Sequence, residues 1–176
     1  YLLEHDKDIL SSIGKVKFKA EFLLNWLRKS GLRINENKTE ICIFSNNDVR
    51  TFTIDIFDKQ IKTTKTIKVL GLTFDSKLNW SFQVNEAIQK AKKSIQAIKL
   101  LSRYFNRKIL VQLATAYFFS KLYYGCQVWF IPSLNKNLKH KILQASANCL
   151  RVCCKDYQRI FSFKEFSLKF SLSIVD

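Results

Sequence analysis

Residues 67–80, IKVLGLTFDSKLNW, decide how the chain is read. Ile67 to Phe74 reads as a short strand, Asp75-Ser76-Lys77 as a polar turn, and Leu78-Asn79-Trp80 as the opening of a long basic helix. Before this stretch the apolar spacing is that of one helix followed by short strands. After it the spacing is helical throughout. The stretch therefore joins two expected units, 1–76 and 77–176. The expected fold class is α+β: a helix with a small antiparallel sheet, then an all-helical part.

Working outward, Ile9, Ile13, Val16, Ala20, Leu23 and Leu27 repeat at three and four, which predicts a helix over residues 5–30 that ends at Gly31. Asn-rich turns then separate short apolar runs: 32–34, Thr39–Ser45, Thr51–Phe57 and Ile61–Phe74. With a tight turn at Phe57–Gln60, these predict a β-meander, most simply antiparallel. Downstream, Val84, Ile88, Ala91, Ile95, Ile98 and Phe105 mark the inner stripe of a helix starting near Ser81. A second helix is expected over Lys108–Tyr124 up to Gly125, and a third over Asn135–Cys154, with Leu138, Ile142, Ala145, Cys149 and Val152 inward. Phe161, Phe163, Phe166, Leu168 and Phe170 suggest a weak final helix.

At 176 residues, 47% of them hydrophobic, the chain can bury a core. It begins at Tyr1 and contains no Met, which reads as a portion of a longer polypeptide. The net charge of +16 is unevenly spread. Residues 1–80 hold 14 Lys and Arg against 10 acids, and residues 81–176 hold 16 against 4. From Ala87 to Lys155 there are 13 Lys and Arg and no carboxylate. Such a span attracts polyanions, although a solvated helix surface or an anionic membrane surface would read the same way.

Five cysteines without a CxxC pair, and no signal-peptide pattern, imply reduced thiols and an intracellular setting, either nucleus or cytoplasm. His140, Cys149 and Cys153 are poorly spaced for zinc, so no metal site is expected. Ile109–Leu134 is apolar, but Gln112, Lys121, Gly125, Gln127 and Pro132 interrupt it, favouring a buried helix over a membrane span. Asp6 and Asp8 are the one close Asp pair, and they sit where acids cap a helix. Four glycines form no phosphate-cradling loop, and two histidines support no nucleophilic triad. Taken alone, the residues give a basic α+β chain without a visible catalytic set.

Three stretches nonetheless resemble a known family. Trp26–Phe44, WLRKSGLRINENKTEICIF, resembles the helix, GLxxNxxKT turn and strand that end the palm of reverse transcriptases of non-LTR retrotransposons. Ile67–Trp80 resembles the KxLGxxxDxxLxW stretch of the same family, its primer-grip hairpin and entry to the thumb. Tyr117–Trp129, YFFSKLYYGCQVW, resembles a later signature containing Tyr-Gly and a following Trp.

The resemblance implies that 1–76 is the C-terminal part of a polymerase palm and 77–176 a helical thumb or connection domain. It implies a portion of an RNA-directed DNA polymerase that binds a template–primer duplex of RNA and DNA. The family's catalytic aspartates are not among these residues, so the implied portion does not polymerise alone. It needs no cofactor of its own, and Mg2+ belongs to the full-length enzyme. Lys38 matches a turn lysine near the incoming triphosphate, where it would assist the leaving group, or it is an exposed turn residue. Leu70 and Gly71 match the primer grip. Asn35, Trp80, Tyr124 and Trp129 match positions that read as structural. Lys90, Lys92, Lys93, Lys99, Arg103, Arg107 and Lys108 would meet phosphates of the duplex. A non-catalytic basic nucleic-acid-binding module and a structural or interaction helical protein remain as alternatives. No membrane partner is expected, and the oligomeric state is left open.

Overall fold

Asp8 caps the first helix, α1 (Ile9–Lys29), its carboxylate accepting from the Ser11 amide at 3.0 Å. Asp6 accepts from Ser11 Oγ and Lys15 Nζ, both at 2.7 Å. At the other end, Gly31 takes φ 73°, Leu32 N donates to Leu27 O and Gly31 N donates to Arg28 O. Those two bonds satisfy carbonyls that the end of a helix leaves without partners. The computed structural model describes residues 2–6, 8–32, 35, 38–47, 50–56 and 59–155. The chain divides into two compact units, Tyr1–Leu78 and Asn79–Asp176, combining helices with small sheets in the α+β manner.

In the first unit α1 packs on strands β1 (Ile41–Cys42), β2 (Thr53–Ile56) and β3 (Lys59–Thr64). β2 alternates, with Ile54 and Ile56 buried and Thr53 and Asp55 outward, because successive strand residues face opposite sides. Ala20, Ile54, Ile56 and Ile61 make the core, with Ile13, Ile41 and Phe52 packed against it. The inner stripe of α1 closes with Leu24 rather than the expected Leu23, which is exposed. Phe18, Phe22 and Trp26, four apart, are also exposed.

The sheet corrects the antiparallel meander in two ways. Its order is β1-β3-β2, and β1 runs parallel to β3, with Ile41 opposite Thr63. The β2–β3 hairpin uses one edge of β3, so β1 pairs along the other edge. There Thr64 Oγ1 also donates to Ile41 O. Second, the run from Ile61 to Phe74 is not one strand. It breaks after Thr64 and returns as a separate hairpin, β4 (Thr66–Val69) and β5 (Leu72–Asp75). Ser76 N bonds Lys65 O and Ser45 N bonds Ser76 O, both at 2.9 Å, fastening this hairpin within the unit. Phe57 and Asp58, in the expected β2–β3 turn, lie outside the described residues, as does the predicted final helix around Phe166.

The second unit is helical: α2 (Ser81–Leu101), α3 (Arg107–Ala114), a π-helical turn (Thr115–Phe119), α4 (Ser120–Leu122), α5 (Cys126–Trp129) and α6 (Lys136–Cys154). Val84, Ala91 and Ile98 of α2 meet a core that includes Leu110, Ala114, Phe118, Leu122, Trp129, Ile142, Cys149 and Cys153. The expected second helix is thus interrupted by a wide turn. A π turn displaces the regular hydrogen-bond ladder, so a carbonyl needs a partner elsewhere. Ser94 Oγ supplies one, donating to Tyr117 O at 2.9 Å while accepting from Lys121 Nζ at 2.9 Å. Among the described residues, no helix is long and apolar enough to cross a membrane.

Ser94 is buried, so its removal leaves the Tyr117 carbonyl without that donor. Ser94→Ala is expected to destabilise the chain by about 1–3 kcal/mol, read as a lower midpoint in urea unfolding. Exposed Ser120→Ala serves as a control that should change stability by no more than about 0.5 kcal/mol.

Candidate nucleic-acid interface

The cations of α2 are sorted by helical geometry. Each residue turns the direction by about 100°, and each adds about 1.5 Å of rise. Lys92, Gln96, Lys99 and Arg103 follow one another at four, three and four, and so share one ridge about 16 Å long. Arg103 extends it just past the helix end, in a turn closed by Tyr104 N donating to Leu101 O at 3.0 Å. Gln96, Lys99, Leu100, Ser102 and Arg103 line an open concavity of about 510 Å³.

The seven cations expected to act together do not all lie on that ridge. Lys93 falls on the opposite shoulder with Lys90, and Lys90 Nζ pairs with Glu86 at 2.8 Å. Arg107 and Lys108 open α3, where Asn106 caps the helix by accepting from Ile109 N. Cations at that end oppose the helix dipole by about 0.3–1 kcal/mol each, and no acid in the first turn offsets them. The result is a concentrated positive potential at the α2–α3 corner. All seven side chains are exposed.

Sequence reasoning missed Leu100 and Tyr104, which stand 68% and 81% exposed beside these cations. The signal was available, because both fall outside the phase of the Val84–Ile98 stripe. An apolar residue on the polar side of a helix is either tolerated or used.

The other candidate residues belong to the first unit. Lys38 is exposed in a turn closed by its own amide donating to Asn35 O at 3.0 Å. Thr39 Oγ1 also approaches this main-chain carbonyl, at 3.4 Å. Leu70 and Gly71 are the two central residues of the β4–β5 turn, at φ 49° and 83°. Two positive φ values in a two-residue loop make a type I′ turn, whose twist suits a hairpin. Gly71 adopts this freely. Leu70 does so at a cost of about 1–2 kcal/mol, with its side chain 76% exposed.

The matched aromatics divide. Trp80 and Trp129 are buried, and Trp129 Nε1 donates to Tyr124 O at 3.0 Å across the Gly125 turn. The Tyr124 ring, read as packing, is instead half exposed.

Among the described residues, no group of three or more His, Cys, Asp and Glu side chains converges on a common point. Asp8 is spent on capping and Asp6 on Ser11 and Lys15. The described residues therefore do not fit a two-metal centre, and no phosphoryl-transfer step is assigned to them. Cys149 and Cys153 are buried while His140 is exposed. The hydrogen bond with Cys153, reinforced by burial, pushes the Cys149 thiol up and keeps it protonated. Cys153 Sγ lies 3.5 Å from Leu110 O as a packed, weakly donating thiol.

The chain is similar to the RNA-directed DNA polymerase from mobile element jockey of Drosophila melanogaster, at 24% identity over 147 residues. The similarity covers 82% of this chain and 16% of the relative, so the chain spans a small part of that protein. No family model and no solved structure gives a significant match.

The turn geometry makes a signed stability prediction. Leu70→Asn places the preferred Asn-Gly pair in a type I′ turn and is expected to stabilise the chain by about 0.5–1 kcal/mol. Gly71→Ala is expected to destabilise it by about 1–2 kcal/mol. Thermal unfolding of the two variants should move in opposite directions.

Proposed function

We propose that this chain is a portion of an RNA-directed DNA polymerase of a non-LTR retrotransposon, serving to hold a template–primer duplex. On this reading the helix and sheets of 1–76 are the end of the palm, and the helices of 77–176 are the thumb. The observation that carries the reading is the carboxylate-free span from Ala87 to Lys155, together with the Lys92–Lys99–Arg103 ridge it supplies. A ridge about 16 Å long presents three cations in line, suited to successive phosphates along one strand. Contacts of this kind give affinity and register without reading sequence, as a polymerase that must copy any template requires. The similarity to the jockey polymerase supports the same reading.

Leu70 and Gly71 are proposed to meet the primer strand through the tip of the β4–β5 turn, where Gly71 lets a backbone approach closely. Lys38 is proposed to lie toward the incoming triphosphate and to offset charge on the departing pyrophosphate. Nucleotidyl transfer itself is assigned to carboxylates and Mg2+ of the full-length enzyme. A second reading, as a structural interaction protein, draws on the exposed Phe18, Phe22 and Trp26 of α1. It concerns the first unit and does not compete for the α2 ridge.

Salt titration tests the proposal. Binding of a blunt RNA–DNA hybrid should weaken as salt rises, with a log–log slope reduced by about 1 for each of Lys92→Ala, Lys99→Ala and Arg103→Ala. Lys90→Ala, which removes a cation paired with Glu86 on the other shoulder, should leave the slope nearly unchanged. Absence of hybrid binding at low salt would overturn the proposal.

A further inference from the structure

The corner between α2 and α3 carries a feature that a duplex alone does not use. Lys99, Leu100 and Arg103 line one concavity, and Tyr104, an exposed residue, follows directly. Phosphates of a duplex satisfy the cations but offer nothing to Leu100 or Tyr104, because paired bases hide their faces in the stack. An unpaired strand presents both chemistries at once: phosphates for the cations and flat base faces for apolar side chains. We propose that this corner binds an unpaired run of polynucleotide next to the duplex, with Tyr104 stacking a base over Leu100 where the strand leaves the duplex phosphates held by Lys99 and Arg103. The inference rests on the duplex-holding reading above and adds the kind of strand that the corner selects.

Charge and shape favour this partner over the other anionic surface, a lipid bilayer. A bilayer-seeking helix presents a broad apolar face together with its cations. The apolar face of α2 is instead spent on the core through Val84, Ala91 and Ile98, leaving Phe82 and Leu100 exposed at opposite ends of the helix, with Leu100 beside the concavity. An acidic protein partner would satisfy the cations, but it would not supply planar faces at phosphate spacing.

Fluorescence anisotropy of the whole chain tests the inference with three probes: a blunt RNA–DNA hybrid, the same hybrid carrying an unpaired run of thymidines, and vesicles of phosphatidylserine. The overhang hybrid is expected to bind about tenfold more tightly than the blunt one. Tyr104→Ala should abolish that preference and leave blunt binding and its salt slope unchanged, and Tyr104→Phe should retain the preference. Exposure of Tyr104 leaves little packing to lose, and circular dichroism of both variants checks that they fold. Equal binding of the two hybrids by the wild-type chain overturns the inference and leaves the duplex-holding reading standing. So does a Tyr104→Ala variant that keeps the preference. No binding of either hybrid overturns both. Vesicle binding lost in Tyr104→Ala, without an overhang preference, assigns the corner to lipid instead.

Discussion

The rotation of α2 about its own axis is the constraint on which the helical unit depends. It is set by burial, beginning with Trp80, which stands just before the helix at φ 62° and is 5% exposed. A left-handed residue with a side chain costs about 1–2 kcal/mol. Burying an indole of about 150–250 Å² returns up to roughly 4–6 kcal/mol at about 25 cal/mol per Å², so burial wins and the strained entry is kept. Val84, Ala91 and Ile98 then hold the same face inward along the helix. Once that face is fixed, Lys92, Lys99 and Arg103 have one place to go. The ridge is a consequence of the core.

Electrostatics explains why such a ridge is tolerated. Its cations stand about 6–10 Å apart along the axis, near the screening length of about 8–10 Å at physiological salt. Their mutual repulsion in solvent is therefore modest, and it falls further when an anion lies between them. Lys90 has its own counter-charge in Glu86, the one acid within α2. The carboxylate-free remainder keeps the potential of the corner positive, and the first turn of α3 adds its dipole to Arg107 and Lys108. The π turn that follows costs regular hydrogen bonding, but Ser94 recovers one bond from α2 and ties the two helices together.

Much of the architecture was legible because burial repeats. The stripes of α2 and α6 were readable from Val84 to Ile98 and from Leu138 to Val152, since a helix buries every third or fourth residue. Leu23 and Leu24 are adjacent leucines, and spacing alone could not choose between them. The break at Lys65 was invisible because Ile61, Ile67 and Phe74 keep an apolar rhythm through it. In the apolar pattern the turn was hidden, because Leu70 occupies a position where Asn or Gly normally announces a type I′ hairpin, and it was the resemblance to a primer-grip hairpin that placed a turn at Leu70 and Gly71. The parallel pairing of β1 depends on which edge of β3 stays open, a tertiary fact without a local sign. At the candidate interface the cations were countable, but their division into two shoulders needed the helix phase. Leu100 and Tyr104 were passed over because aromatic and aliphatic residues are usually assigned to cores.

The central claim is that the core-set rotation of α2 aims one ridge, and not its whole cationic surface, at a polynucleotide. Amine-reactive labelling of the lysines, read by mass spectrometry with and without a bound RNA–DNA hybrid, tests this most directly. The account predicts strong protection of Lys92 and Lys99 by the hybrid, and little change at Lys90 and Lys93. Equal protection of all four lysines, or protection of Lys90 and Lys93 in preference, would contradict it.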